Sequence, residues 1–200
     1  ARVLPGVQGR GESDGMRIMT TAIPIPPGSF DPEDVTLLLK DVTGQVEERD
    51  TALRERDIQA GRHYSEDLPI EQVPSAAYMA VFDRLMDSQL PRVALYTGAL
   101  TRLVLQAYEK PLLVSLVRAG VPCGVLMRRY AGRELGVDLP HYGVSIIRGK
   151  GFDENAMRCL LSRHPDRTPV FVDGWTGKGM ITRQLEESCA QFNARSGAGL

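Results

Sequence analysis

The residues best suited to chemistry lie between Pro169 and Ile181, where an apolar run leads into a glycine-rich turn. Residues 170–172 are β-formers and predict a buried strand, which Asp173 follows directly. The turn then leads into a helix, whose first N–H groups favour phosphate binding. Thr176 adds a hydroxyl and Lys178 a positive charge. The stretch lacks the glycine and hydroxyl positions of a Walker A loop, so an ordinary strand-to-helix turn is the alternative.

Bulk composition narrows the class of protein. The chain has 200 residues and a net charge of -1, so it fits one domain and has no basic field for nucleic acid. No apolar run is long enough to cross a membrane, and no signal-peptide pattern is present. Three cysteines without a CxxC pair favour neither a disulfide framework nor a zinc site. A soluble, cytoplasmic protein is therefore expected.

Composition also divides the chain into four parts. Residues 1–28 are rich in Gly, Pro and Arg and predict a flexible arm. Residues 29–110 read as a mainly helical part or cover, and residues 111–190 as an α/β core. Residues 191–200 resemble a tail or linker, so the chain is expected to be a fragment of a longer protein with a further C-terminal segment.

Helical patterns dominate the first half. Asp31 as N-cap and a proline after it predict one helix, and Glu47–Ala60 a second, charged one. A stronger apolar periodicity begins at Pro74, and we expect Pro91 to interrupt that helix. A further helix is predicted over Leu100–Tyr108.

The second half alternates between strands and helices. Strands are predicted at residues 112–117, 142–147 and 170–172, each followed by an amphipathic helix. Alternation at this spacing predicts a parallel α/β sheet with flanking helices.

Each of these strands ends in a polar or basic loop. Because parallel strands end at one edge of a sheet, we expect the loops to meet there. Their basic residues would converge beside Asp173 and could hold a polyanion that carries hydroxyls, such as a phosphorylated sugar; they are Arg118, Arg148, Lys150 and Lys178. A solvated loop is the alternative for Arg148 and Lys150.

This layout resembles a type I phosphoribosyltransferase, in which an acid and a Thr-Gly turn bind PRPP. The resemblance implies that Asp173 contacts the ribose hydroxyls and takes part in catalysis with Arg148 and Lys150 of a closing loop. It assigns the rest of the PRPP site to Gly174, Thr176, Gly177, Lys178 and Gly179, and the pyrophosphate loop to Arg118, Ala119 and Gly120. Mg²⁺ would be carried by PRPP rather than bound directly. The usual second acid is replaced by Gly174.

A narrower resemblance covers roughly residues 28–190. Four segments are similar to a bacterial family encoded with tellurite-resistance and stress genes, sometimes labelled cysteine protease StiP; they are residues 34–41, 61–69, 115–120 and 171–179. This resemblance implies synthesis of a nucleoside-like metabolite in a stress response, and family members that are longer than this chain.

Three functions follow as hypotheses. The first is phosphoribosyl transfer from PRPP to a base-like small molecule, with Trp175, His63 and Tyr64 on the acceptor side. The second is a binding module that holds PRPP or a nucleotide without turnover. Binding of nucleic acid or a membrane is not expected, and a homodimer stays open.

The third hypothesis is a cysteine protease, which needs a thiolate and a base. Cys123 follows a proline near a predicted helix N-terminus, where a thiol pKa can fall. His63 is the histidine considered as its base. The other cysteines and histidines are expected to be structural; they are Cys159, Cys189, His141 and His164.

Overall fold

The computed structural model describes residues 29–42 and 44–200. The predicted arm, residues 1–28, lies outside them. Within the described residues the helices are α1 (Thr51–Gln59), α2 (Ala76–Ala107), α3 (Gly120–Leu135), α4 (Glu154–Arg163) and α5 (Met180–Ser196). The strands are β1 (Thr36–Leu37), β2 (Glu48–Arg49), β3 (Leu68–Pro69), β4 (Pro111–Val117), β5 (His141–Ile147), β6 (Gly151–Phe152) and β7 (Thr168–Val172).

The main sheet has the order β1-β5-β4-β7, with these four strands parallel and β6 paired antiparallel to β5. Strand β4 lies in the middle, with Leu113 opposite His141 of β5 and Val170 of β7. The chain leaves β4 for β5 on one side and later for β7 on the other. The predicted parallel α/β sheet with flanking helices is confirmed, and its topological switch point lies at β4.

Helices cover both faces of this sheet. Side chains alternate along a strand, so Leu112 and Leu113 of β4 point to opposite faces, and both are fully buried. Leu112 packs with α4 and α5, in a cluster that includes Leu160 and Phe192. Leu113 packs with α2 and α3, in a cluster that includes Met127. The near-continuous apolar run of β4 is what burial on both faces requires.

The helix predicted from Asp31 does not form. Instead β1 pairs in parallel with β5, with Thr36 opposite Tyr142. An oxygen of Asp31 accepts a hydrogen bond from the Glu33 N–H at 2.9 Å, so this residue stabilises a turn and not a helix. Sheet pairing to a distant strand outweighs the local helix signal, and Val35 is buried at the join.

Helix α2 continues through Pro91 instead of breaking there, and it absorbs the separate helix predicted over Leu100–Tyr108. Ser75 caps it by accepting a hydrogen bond from the Tyr78 N–H at 3.2 Å. Proline removes one backbone hydrogen bond and favours a helix end, yet this 32-residue helix continues through it.

A small unit precedes α2. Strands β2 and β3 pair in parallel beside α1, and Asp67 is buried among the side chains of Arg49, Arg54 and Arg62. The nearest of these contacts joins Arg54 Nε to an Asp67 oxygen at 3.0 Å. The part predicted as mainly helical thus contains three short strands as well.

The C-terminal end differs from the predicted tail. Helix α5 runs on to Ser196, and Leu200 packs against the core. Asn193 exchanges two hydrogen bonds with the Leu200 backbone, each of 3.0 Å. No helix in the described part of the chain is long and apolar enough to cross a membrane.

Candidate active site

Two turns at the carboxyl edge of the sheet pack backbone against backbone. One joins β4 to α3 and the other joins β7 to α5. A Cβ atom on Gly120 would lie 2.1 Å from the Val172 carbonyl oxygen, and one on Gly174 would lie 2.3 Å from the Ala119 carbonyl oxygen. Only glycine permits this approach, so Gly174 serves to bring the two turns together.

Cys123 lies in the first turn of α3, at this junction. Its Sγ is 4.0 Å from the Ala119 carbonyl oxygen and would be 3.3 Å from a Cβ on Gly174. The side chain is half-buried. The thiol therefore lies where the two turns meet, and it packs against the core cluster that includes Met127. Open α/β sheets bind their ligands at this edge, and we call the junction of the two turns the crevice.

The electrostatics of this junction centre on Cys123 and Asp173. Burial raises the pKa of the Cys123 thiol above its ordinary value, the Asp173 carboxylate raises that pKa further, and the Cys123 backbone N–H partly offsets both effects. The thiol is thus held protonated beside a carboxylate. An Asp173 oxygen also accepts a hydrogen bond from the Trp175 N–H at 3.2 Å.

Replacing Asp173 with asparagine should speed alkylation of Cys123 by iodoacetamide at neutral pH. The substitution removes the negative charge that raises the thiol pKa, so the thiolate fraction at a given pH increases and the rate–pH profile moves to lower pH. The measurement is the alkylation rate of Cys123 by peptide mass spectrometry, with the half-buried Cys189 as internal control. An unchanged or slower rate at Cys123 would contradict this electrostatic picture.

The predicted anion-binding residues are only partly brought together. Asp173 and Gly174 meet Ala119 and Gly120 across the two turns. The Arg118 side chain is instead 89% exposed, and its guanidinium lies 3.8 Å from Glu71. In the other turn Thr176, Gly177 and Lys178 are exposed, and the Thr176 carbonyl accepts from the Gly179 N–H at 2.9 Å.

The predicted closing loop is a tight hairpin turn between β5 and β6. The Lys150 N–H donates to the Ile147 carbonyl at 3.0 Å, and the Gly149 N–H donates to Gln184 at 2.7 Å. The Tyr64 hydroxyl accepts from the Arg148 N–H at 3.1 Å, and His63 Nε2 lies 3.3 Å from the Arg148 carbonyl oxygen. His63 and Tyr64 therefore contact this turn.

The structure also contains a buried serine–histidine pair that the sequence did not indicate. His141 Nδ1 donates to the Asp34 carbonyl at 2.9 Å, and Nε2 lies 2.7 Å from Ser115 Oγ. Burial lowers the pKa of His141 to about 4, so the ring is neutral and Nε2 accepts from the Ser115 hydroxyl. Ser115 is fully buried and His141 is 3% exposed, which makes the pair structural and inaccessible to substrate.

Comparison with known proteins decides the family. A family model described as "Tellurite-like stress resistance cysteine protease StiP" matches residues 28–198. The chain belongs to the StiP family. It is 43% identical over 163 residues to a "Cysteine protease StiP" of Acinetobacter baylyi, an alignment that covers 80% of this chain and 42% of that relative. The chain thus spans less than half the length of that StiP protein. No solved structure matches the chain.

Membership of the StiP family confirms the narrower resemblance and the stress-resistance context. It also overturns the main functional prediction. The family is named for a cysteine protease, so phosphoribosyltransferase activity is wrong as the primary interpretation, as is the assignment to the glycosyltransferases. PRPP, its Mg²⁺, a base-like acceptor and the residues assigned to them stay predictions from sequence alone.

Proposed function

We propose that this chain carries the nucleophile of a cysteine-dependent peptide hydrolase, with Cys123 as that nucleophile and Asp173 as the group that accepts its proton. The carrying observation is the position of Cys123, on the first turn of α3 in the crevice at the switch point and beside a carboxylate. The name of the StiP family supports the reaction class.

The other two cysteines fit this role less well. Cys159 lies within α4, and Cys189 lies within α5. Cys189 packs against the core cluster of that face of the sheet, and burial raises the pKa of its thiol. Both helices cover the face of the sheet opposite to α3, so neither cysteine is at the crevice. Cys123 also packs against a core cluster, so what distinguishes it is its position where the two turns meet.

In the proposed reaction the Cys123 thiol is protonated before the substrate binds, and its proton is transferred during the attack. Cys123 Sγ attacks the carbonyl carbon of the scissile peptide as its proton moves to the Asp173 carboxylate. The C–N bond then breaks, and Asp173 returns this proton to the leaving amine. Water hydrolyses the thioester, which releases a carboxylic acid and restores the thiol. Within the described residues Cys123 Sγ contacts the Ala119 carbonyl and is hydrogen-bonded to no histidine. We assign the acceptor role to Asp173 because its carboxylate is the charged group that acts on the pKa of this thiol.

Trp175 provides a surface on which a peptide could bind. Its side chain is 76% exposed, and its ring lies within 3.5 Å of the position of a Cβ on Gly177. An exposed tryptophan two residues after Asp173 offers a large contact area to an apolar substrate side chain. We therefore assign Trp175 to substrate binding in place of the predicted contact with a base.

For the scaffold we propose a type I phosphoribosyltransferase-like core that performs hydrolysis. A central β4 between β5 and β7, with α3 on one face and α4 and α5 on the other, supports this likeness. The proposal concerns architecture and carries no phosphoribosyl transfer.

The direct test is hydrolysis of a pool of fluorogenic peptides by the purified chain, with and without prior treatment by iodoacetamide. We expect amide cleavage that alkylation abolishes, because a cysteine mechanism needs a free thiol. Cleavage that survives complete alkylation of Cys123, or no cleavage by either this chain or a full-length StiP protein, would overturn the proposal.

A further inference from the structure

Helix α2 carries a long apolar surface that nothing in the described part of the chain covers. Every residue from 76 to 96 is exposed, and the residues of α2 that are buried are Gly98, Thr101 and Val104. Ten large hydrophobic side chains are exposed in this stretch, at 40–67% each; they are Tyr78, Met79, Val81, Phe82, Leu85, Met86, Leu90, Val93, Leu95 and Tyr96. Exposed apolar surface on this scale marks an interaction site.

A heptad repeat runs through this surface. Apolar residues recur at alternating spacings of three and four, which is the pattern of a two-helix coiled coil. We name these positions the α2 seam; they are Met79, Phe82, Met86, Gln89, Val93, Tyr96, Leu100 and Leu103. All except Gln89 are large and apolar, and these seven are exposed by 40–63%.

The seam faces away from the body of the protein. The buried residues Gly98 and Thr101 lie on the other side of α2, whereas buried Val104 borders the seam one turn after Leu100. A Cβ on Gly98 would be 3.0 Å from the Tyr130 ring of α3. Pro91 also lies outside the seam, so its ring does not enter a helix–helix contact there. At 1.5 Å per residue the 32-residue helix is about 48 Å long, and the seam extends along most of it.

We propose that the α2 seam pairs with the same seam of a second copy of this chain, in antiparallel orientation. A heptad seam selects another helix with the same repeat, and a second copy supplies it. The orientation follows from charge. Residues 76–90 carry Asp83, Arg84 and Asp87, whereas residues 91–107 carry Arg92 and Arg102. Antiparallel pairing places each acidic half beside a basic half and also opposes the helix dipoles, whereas parallel pairing juxtaposes like charges.

The antiparallel arrangement also matches side chains across the two-fold axis. With the axis between residues 87 and 88, Phe82 lies opposite Val93 of the partner subunit, and Met86 lies opposite Gln89 of the partner subunit. Leu100 and Leu103 then extend past the start of the partner helix, towards the segment that precedes it. That segment exposes Ile70 at 52% and Val73 at 94%, which can cover them.

Sedimentation velocity over a concentration series tests the pairing. We expect the wild-type chain to sediment as a dimer and the double variant Phe82→Glu with Val93→Glu to sediment as a monomer. The matched control is Val81→Glu with Leu95→Glu, which changes two apolar residues of α2 that lie outside the seam and are exposed by 46% and 67%, and this variant should stay dimeric. Circular dichroism confirms folding of both, since none of these four side chains is buried. A monomeric wild type, or loss of the dimer in both double variants alike, would overturn the proposal.

Disulfide trapping tests the orientation. Chains with Met86→Cys are mixed with chains with Gln89→Cys, and the antiparallel pair should give a crosslink that contains one of each. Parallel pairing instead brings position 86 against position 86, so a crosslink between two Met86→Cys chains would refute the antiparallel arrangement. The wild-type chain, with its three native cysteines outside α2, is oxidised alongside as the control.

Discussion

Replacing Cys123 with serine is expected to lower peptide hydrolysis by about a thousandfold or more, since loss of a nucleophile removes the covalent route altogether. The fold should be unaffected, because the side chain is half-buried and serine is of similar size. The measurement is kcat/KM on the best peptide of the fluorogenic pool, with the free energy of unfolding measured in parallel.

Two controls accompany this variant. Cys159→Ser and Cys189→Ser remove the remaining thiols of the chain and should retain hydrolysis, because both residues lie in helices away from the crevice. Retained activity in Cys123→Ser combined with its loss in either control would assign the nucleophile to a different cysteine.

The second large effect is expected on stability. Gly174→Ala places a Cβ atom 2.3 Å from the Ala119 carbonyl oxygen, so the two turns must separate. We expect a loss of about 3 kcal/mol in the free energy of unfolding, at the upper end of what overpacking costs. Urea denaturation measures this loss, and Cys123 alkylation should change with it because the thiol lies at the same junction.

Gly132→Ala is the matched control for this substitution. Gly132 lies in α3, and a Cβ there would have nothing within 4 Å. Because alanine has the higher helix propensity, the control should gain up to about 1 kcal/mol. Equal stability of the two variants would show that the two turns do not require glycine.

Local sequence patterns are sufficient to predict the central strands β4 and β7. The continuous apolar run of β4 predicts burial on both faces, and the structure buries its first six residues. Strand β7 is found two residues longer than its apolar core at residues 170–172, because Pro111 and Leu112 of β4 pair with Thr168 and Pro169. The edges of elements are set by such pairing and not by local sequence.

Contacts between residues far apart in the chain explain the elements that local sequence patterns predict wrongly. Strand β1 exists because Thr36 and Leu37 meet β5 more than a hundred residues later, whereas the local pattern around Asp31 favours a helix. Similarly, Pro91 has a strong local preference to end a helix, but α2 accommodates it.

In the candidate site too, local sequence does not reveal which residues lie close together. The sequence identifies Asp173 as a site residue and places Cys123 near a helix start. It does not show that these two residues interact. Their proximity depends on Gly120 and Gly174, whose missing side chains allow the two turns to touch. From sequence alone Gly174 indicates the loss of a second acid, and its packing role is visible only in the structure. The sequence predicts that the basic residues converge, but Arg118 points to solvent beside Glu71.

The central claim is that Cys123 is the nucleophile, and covalent trapping tests it most directly. The chain is incubated with a peptidyl chloromethyl ketone built on the best substrate sequence, and the modified cysteine is located by peptide mass spectrometry. The account predicts modification of Cys123, in step with loss of hydrolysis and prevented by excess substrate. Loss of hydrolysis with Cys123 unmodified, and with Cys159 or Cys189 carrying the label, would contradict it.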